Sequence, residues 1–159
     1  MLSESARMSS AAEARFRVQA PNSLPRAIKV IALDVAGEAV VRRLDDAGWR
    51  HAAFFLAGDP RDPSLRDLAG GTSTVAVEVD AADLIVLIAG PGGRARAVSA
   101  IGEACSNRRV MTTGLIVGAS AASEHDLSRT LAQLRPWSLM LVVATNDEYI
   151  DDMLTALRA

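Results

Sequence analysis

A glycine-rich turn followed by two arginines is the part of this sequence best suited to hold a charged ligand. Six apolar residues lead directly into Gly90-Pro91-Gly92-Gly93, and Arg94 and Arg96 follow. Backbone N–H groups in a turn from a strand into a helix can converge on an anion, and the helix dipole favours negative charge there. Two cations at a helix N-terminus oppose that dipole, and a bound anion would relieve the conflict. The three glycines and Arg94 are therefore predicted to hold a phosphate, although glycines also serve a tight turn that needs positive φ.

Asp34, Gly37 and Asn146 are predicted to lie around the same crevice. Asp34 follows the first predicted strand, Gly37 closes the turn after it, and Asn146 follows the last predicted strand. Ligands of α/β sheets bind beyond the carboxyl ends of the strands. Asp34 could contact a ribose hydroxyl or a metal ion, or it could pair with Arg94 or Arg96 and so place the protein's own charge in the phosphate position. Asn146 could face a nucleotide or simply cap the following helix.

Other catalytic and metal-binding patterns are missing from the sequence. There is no G-x-S-x-G pattern, no Ser/His/Asp arrangement can be assigned, and His51 and His125 lack a metal-ligand spacing. The segment GPGGRA is out of register with G-x-G-x-x-G, which disfavours a nicotinamide or flavin site. Cys105 is the single cysteine, which excludes an intramolecular disulfide. Arg108 and Arg109 beside it could lower the pKa of its thiol, but a half-buried, inert cysteine is the simpler interpretation.

Alternating strands and helices are predicted to position these residues in an α/β fold. Strands are predicted at residues 28–33, 51–56, 74–79, 84–89, 110–117 and 139–144. Helices are predicted at residues 38–46, from the glycine turn through 104, at 123–134 and from 146 to the C-terminus, with at most one helical turn at 65–68. Apolar runs without alternation are typical of parallel strands buried on both faces, joined by right-handed crossovers.

Composition indicates one domain after an N-terminal arm. Residues 1–26 are rich in Ser, Ala and Arg with little hydrophobic periodicity, and residues 27–159 are predicted to form a single α/β domain. The chain is 50% hydrophobic but only 4% aromatic, which suits a parallel sheet covered by helices. A net charge of −2 argues against nucleic acid as a partner, and no apolar run approaches the roughly 18 residues of a membrane span. A cytoplasmic protein without a membrane partner is expected.

Four stretches together resemble the GTP-binding domain of the FtsZ/tubulin family. In chain order they are IKVIALDVAGEAVVRRL, DLIVLIAGPGGRARAVSAIGEA, VMTTGLIVG and LMLVVATNDEYIDDML. The resemblance implies a three-layer, Rossmann-like fold with a mostly parallel sheet in strand order 3-2-1-4-5-6, like the N-terminal domain of that family. It also implies GTP, GDP or another nucleotide as the ligand, with Asn146 and Asp147 on the nucleotide side.

The sequence departs from this family where phosphate is bound and hydrolysed. The first loop is Asp34-Val35-Ala36-Gly37 instead of nearly all glycine, and a carboxylate beside a phosphate weakens binding. The second loop lacks the family's glycine-threonine-glycine run, although Arg94 and Arg96 could pair with phosphate bidentately. The sequence ends after the helix at Leu157, before the family's long central helix and water-activating acidic loop. Hydrolysis of the family type is therefore not expected.

Three functions follow as alternatives. The first is a non-hydrolysing binder of a nucleotide or another phosphate-bearing ligand, with Asp34 and Asn146 at the rim of the site. The second is a ligand-free relative that acts through a protein partner or through homo-oligomerisation, with the N-terminal arm and outer helices forming a homodimer. The third is a small Rossmann-like enzyme in which Asp34 serves as an acid or a base.

Overall fold

The computed structural model describes residues 25–93, 95–146 and 148–159, and the chain forms an α/β fold in these ranges. Residues 1–24 of the predicted arm, Arg94 and Asp147 lie outside the described residues. The strands are β1 Ile28–Ala32, β2 Ala52–Ala57, β3 Ser64–Asp67, β4 Thr72–Thr74, β5 Leu84–Ala89, β6 Met111–Ile116 and β7 Met140–Val143. The helices are α1 Val35–Asp45, α2 Val75–Asp80, α3 Val98–Arg108, α4 Glu124–Leu134 and α5 Glu148–Ala156, with short 3₁₀ helices at Ala119–Ala121 and Arg135–Trp137.

The sheet is mostly parallel, in a layout consistent with a Rossmann-like fold. Its order is β4-β3-β2-β1-β5-β6-β7, and the five strands from β2 to β7 in that order pair in parallel. Ile28 of β1 lies opposite Ala52 on one side and Leu84 on the other. Strand β1 is therefore the central strand. Strands β2 to β4 follow on one side of it and strands β5 to β7 on the other, so the strand order reverses between β1 and β5.

The prediction of a strand at residues 74–79 is wrong. This segment is helix α2, and Thr74 caps it by accepting a 3.2 Å hydrogen bond from the Val77 N–H. Val75 and Val79, four residues apart, are both buried, whereas Val77 is 59% exposed. Residues four apart share one face of a helix, so two of the three alternating valines lie on the buried face and the third points to solvent.

The predicted helical turn at residues 65–68 is also wrong. Residues Ser64–Asp67 form β3, which pairs antiparallel with both β2 and β4. Gly70, with φ of 95°, lies in the turn between β3 and β4. A short hairpin, rather than a parallel strand, therefore ends this side of the sheet.

Helices cover both faces of the sheet and produce two apolar cores. Strand β1 shows the division, since Val30 contributes to one core and Ile31 to the other. Helices α1 and α5 bury Val40, Val41, Leu44, Ile150 and Leu154 in the first core. Helices α2, α3 and α4 bury Val75, Val79, Val98, Ile101, Cys105 and Leu134 in the second. The described chain thus has three layers: helices, sheet and helices.

Lys29, the single lysine of the sequence, lies in the central strand β1. Its Nζ is 3.1 Å from Glu78 Oε2 of α2, and the two side chains are only 17% and 14% exposed. The ammonium also lies 5.8 Å from the centroid of the Phe55 ring, and Ser73 Oγ donates to the other oxygen of Glu78 at 2.7 Å. Glu78 of α2 and the Phe55 ring of β2 thus compensate the desolvation of the Lys29 charge, and Ser73 of β4 holds Glu78 in place.

Among the described helices, none combines the length and the apolar character that a membrane crossing requires.

Candidate ligand-binding cleft

A cleft opens between the loops that follow the two central strands. It has a volume of about 430 Å³ and is lined by Leu33, Asp34, Val35, Ala36, Gly90, Pro91 and Gly93. Strand β1 continues into α1 on one face of the sheet, whereas β5 leads to α3 on the other face. Loops that separate to opposite faces leave a crevice beyond the carboxyl ends of their strands, which is where doubly wound sheets bind ligands. We call this feature the switch-point cleft.

The carboxylate of Asp34 connects the two loops of the cleft. Its Oδ1 accepts a hydrogen bond from the Gly37 N–H at 2.9 Å, which caps the first turn of α1. The Gly90 N–H donates to Oδ2 at 2.9 Å and to Oδ1 at 3.2 Å. Asp34 is half-buried, and hydrogen bonds to an ionised carboxylate are stronger than those between neutral groups. The side chain therefore occupies the position that the sequence suggested for a phosphate.

The other amides of the glycine turn also donate within the protein. The Gly92 N–H donates to Thr130 Oγ1 at 3.0 Å, and the Gly93 N–H donates to the Gly90 carbonyl at 3.4 Å. Pro91 has no N–H to offer. In this conformation the three glycine amides thus satisfy protein acceptors, and none of them is directed at an open anion site.

Close approach explains two of the glycines around the cleft, and a positive φ explains a third. A Cβ atom at Gly37 would collide with the carbonyl oxygen of Ile88 in β5, so α1 can pack on the sheet only without a side chain there. A Cβ atom at Gly93 would collide with Oδ2 of Asp34. Gly92 has φ of 77°, which a residue with a side chain rarely adopts. The glycines thus have packing roles that do not depend on a ligand.

Helix α4 holds the glycine turn from behind, through residues that the sequence analysis did not select. Thr130 is fully buried and also donates to the Gly90 carbonyl at 3.5 Å. Arg129 Nη2 donates to the Gly92 carbonyl at 2.8 Å and lies 3.6 Å from Asp126 Oδ1. The signal for Thr130 was a hydroxyl within the apolar stripe of α4, between Leu127 and Leu134.

The remaining predicted ligand residues lie away from the cleft or outside the described chain. Asn146 Oδ1 accepts hydrogen bonds from the N–H groups of Glu148 and Tyr149, both at 3.1 Å, so it caps α5. It follows β7, which is separated from β5 by β6. Arg96 is exposed and does not line the cleft, and Arg94 lies outside the described residues. An ion pair between Asp34 and Arg96 does not form.

Among the described residues that line the cleft, Asp34 is the one polar side chain and the other side chains are apolar or absent. Leu33, Pro91 and the 84% exposed side chain of Val35 surround the Asp34 carboxylate. Such a surface can accept hydrogen bonds from hydroxyl or amino groups and can cover the face of an apolar ring. No group of three metal-ligating side chains occurs among the described residues.

Cys105 is a buried residue of helix α3. It is 2% exposed, and burial raises the pKa of its thiol, an effect that outweighs the opposing effects of a hydrogen bond with Thr112 and the charge of Arg108. The thiolate is therefore disfavoured, which favours the interpretation as an inert cysteine, and the side chain is fully buried rather than half-buried.

Comparison with known proteins does not assign a function to this cleft. No protein-family model matches the chain, and no curated protein shows significant sequence similarity to it.

Proposed function

We propose that the protein binds a small organic ligand of the nucleoside or nucleotide class in the switch-point cleft, without hydrolysing it. The observation that carries this proposal is the cleft of about 430 Å³ that the loops after β1 and β5 line together. Its volume lies within the range of ordinary small-molecule sites. Its place at the reversal of strand order is the usual ligand position of this architecture.

The polar contacts of the cleft favour a ligand that donates hydrogen bonds. Asp34 offers carboxylate oxygens, whereas the amides of Gly90, Gly92 and Gly93 are already used by protein acceptors. Ribose hydroxyls could donate to Asp34 while a base covers Val35 and Pro91. A phosphate would instead have to displace the carboxylate from the Gly90 amide, since like charges about 4 Å apart near a protein surface repel by roughly 4 kcal/mol.

The FtsZ/tubulin resemblance supports the nucleotide class. The parallel strands follow the order expected from that resemblance, with the hairpin replacing the outermost strand. GTP and GDP therefore belong among the ligands to be tested, together with their uncharged counterpart guanosine.

A thermal-shift comparison of nucleosides with nucleotides tests the proposal. Guanosine and adenosine are compared with GMP, GDP, GTP, ATP, NAD, S-adenosylmethionine and inorganic phosphate. A ligand at 100 times its dissociation constant stabilises a protein by about 2.7 kcal/mol. We expect a nucleoside to stabilise the wild-type protein more than its di- or triphosphate does.

Asp34→Asn is the decisive variant because it removes the charge and retains the shape. We expect this substitution to weaken nucleoside binding and to strengthen the binding of GDP and GTP. Asp46→Asn, an exposed position just after the other end of α1, is the matched control and should change neither. If no compound stabilises either the wild-type protein or Asp34→Asn, the proposal is wrong.

A ligand-free protein that works by association is the second candidate. The observation in its favour is that Asp34 already fills the anion position with the protein's own charge. This candidate predicts no thermal shift with any of these compounds and a specific protein interface elsewhere on the surface.

A further inference from the structure

A second cleft lies at the amino ends of β1, β2 and β5, at the opposite end of the sheet from the switch-point cleft. Its volume is about 330 Å³. Among the described residues it is lined by Pro25, Ala27, Lys29, Arg50, His51, Ala52, Ala53 and Asp83. The alanine side chains are short, so they leave room between the charged ones. We call this feature the amino-end cleft.

Lys29 brings unused hydrogen-bond donors to the amino-end cleft. An ammonium group has three donors, and the one acceptor of Lys29 among the described residues is the Glu78 carboxylate, whose Oε2 is 3.1 Å from Nζ. The Lys29 side chain is only 17% exposed, and buried polar groups are nearly always hydrogen-bonded. Because Lys29 lines the cleft, an oxygen atom bound there can accept from the donors that Glu78 leaves free.

Arg50 and Asp83 add one charge of each sign to the cleft. Both side chains are exposed, and Arg50 has no hydrogen bond or ion pair with another described residue. Asp83 Oδ2 accepts a hydrogen bond from the Ala27 N–H at 2.8 Å, whereas Oδ1 has no partner within the described ranges. The two residues thus line one cleft without forming a salt bridge, and each has hydrogen-bonding capacity left for a ligand.

The strand order separates these charges by the length of a small molecule. Arg50 precedes β2 and Asp83 precedes β5, and the two strands lie on either side of β1, which carries Lys29. Neighbouring strands are about 4.8 Å apart, so the backbones that carry Arg50 and Asp83 are roughly 10 Å apart. The long arginine side chain can cross part of this distance, which leaves room for a ligand of a few atoms between its guanidinium and the Asp83 carboxylate.

We propose that the amino-end cleft binds a free α-amino acid in its zwitterionic form. The carboxylate of the amino acid accepts from the Lys29 ammonium and from the Arg50 guanidinium, which can bind a carboxylate with two parallel hydrogen bonds. The ammonium of the amino acid donates to Asp83 Oδ1. A volume of about 330 Å³ is near the lower end of the range for small-molecule sites, which suits a ligand of this size.

The charge balance of the cleft favours a zwitterion over a simple ion. Lys29 and Glu78 neutralise each other, and Arg50 and Asp83 have opposite charges, so with His51 neutral the cleft has no excess charge. A simple anion would be attracted by Arg50 and repelled by Asp83, and a simple cation the reverse. A ligand that carries both charges is complementary to both residues.

The signal of Lys29 provides the first test, because Lys29 is the single lysine of the sequence. Protein labelled with ¹³C-lysine gives one Cε signal in nuclear magnetic resonance spectra, and each standard L-amino acid is titrated separately into the full chain. We expect at least one amino acid to shift this signal to saturation. Its N-acetyl derivative lacks the ammonium and its amide derivative lacks the carboxylate, so each should bind about tenfold more weakly or worse.

Two substitutions of exposed side chains test the assigned partners. Arg50→Gln and Asp83→Asn should each raise the dissociation constant of the amino acid about tenfold or more, since each removes a hydrogen bond between charged groups. Asparagine still offers an oxygen to the Ala27 N–H, and Asp83→Asn should not weaken binding of the N-acetyl derivative, which has no ammonium. Arg61→Gln, at an exposed position in the loop after β2, is the matched control and should leave the constant unchanged.

Four results would overturn the proposal. Binding of the two derivatives as tight as that of the amino acid would exclude a zwitterion site. The site itself would be excluded if no amino acid shifts the Lys29 signal to saturation, or if Arg50→Gln and Asp83→Asn bind like the wild type. Asp34→Asn should bind the amino acid normally, and a loss of binding in this variant would place the amino acid in the switch-point cleft instead. The outcome is therefore separate from that of the nucleoside proposal.

Discussion

Both carboxylate oxygens of Asp34 accept hydrogen bonds from the backbone N–H of Gly90, a residue 56 positions away in the sequence. The same side chain caps α1 through Gly37. One carboxylate therefore joins the loop after β1 to the loop after β5 and lines the switch-point cleft. The consequences for stability can be measured without knowledge of any ligand.

Replacement of Asp34 by alanine should destabilise the protein by about 2 kcal/mol. Loss of a helix N-cap costs about 1 kcal/mol, and the Gly90 amide also loses its acceptor. Chemical unfolding monitored by circular dichroism measures the change. Asp46→Ala, at an exposed position, should stay within about 0.5 kcal/mol of the wild type. Equal effects of the two substitutions would show that the bridge contributes nothing.

Thr130→Val should cost about 1–3 kcal/mol, although the two side chains have nearly the same shape. The substitution removes the acceptor of the Gly92 N–H and leaves that amide without its partner. Thr130→Ser retains the hydroxyl and should retain more of the stability. Thr155→Val removes an exposed hydroxyl of α5 and is the control. A neutral Thr130→Val would contradict the assigned role of α4.

Gly37→Ala should destabilise the protein although alanine is the better helix former by about 1 kcal/mol. The added Cβ collides with the Ile88 carbonyl oxygen, so α1 must shift from the sheet, which typically costs about 1–3 kcal/mol. Ala39→Gly, at an exposed position of the same helix, measures the difference in helix propensity between alanine and glycine without a steric collision. A stabilised Gly37→Ala would show that the helix is not held this close to β5.

Glu78→Gln should destabilise the protein by about 1–3 kcal/mol, because it leaves the Lys29 ammonium without its charged partner in a largely buried position. Glu38→Gln breaks the exposed pair with Arg42 and should cost only a few tenths of a kcal/mol. Urea unfolding of both variants at low and high salt distinguishes the two ion pairs. Salt screens the exposed pair more strongly, so the loss of unfolding free energy should fall with salt for Glu38→Gln and change less for Glu78→Gln.

Cys105 should react slowly with iodoacetamide in the native protein. Burial blocks access and raises the pKa of the thiol, so a smaller fraction is thiolate at any alkaline pH than in the unfolded chain. The native rate should therefore continue to rise with pH after the rate in denaturant has levelled off. Equal rates in both states would contradict the buried assignment.

Most of the central sheet was predictable because its signals are local. The uninterrupted apolar run before Gly90 is a doubly buried strand, and the helix predicted at residues 123–134 is α4, which Ser123 caps. The segment from Thr74 to Val79 was not predictable in the same way, since alternating valines fit either period. In the structure Thr74 caps this helix, and Glu78 of the helix pairs with Lys29 of the distant strand β1.

The candidate site was predictable in place but not in its contacts. Asp34 and the glycine turn do meet, because parallel strands bring their carboxyl ends together. Among the described residues, the partners of Asp34 are the backbone amides of Gly37 and Gly90, and backbone donors carry no sequence signal. Thr130 lies 40 residues beyond Gly90, and only the packing of α4 brings them together.

The position of Lys29 has a practical consequence for measuring how the protein opens. A lysine-specific protease has one target bond in the entire sequence, and that bond lies in the middle strand of the sheet, between β2 and β5. Fraying of an edge cannot expose it. The rate at which the native protein is cleaved therefore reports how often the central strands separate. Fast cleavage under native conditions would mean that the sheet is not intact.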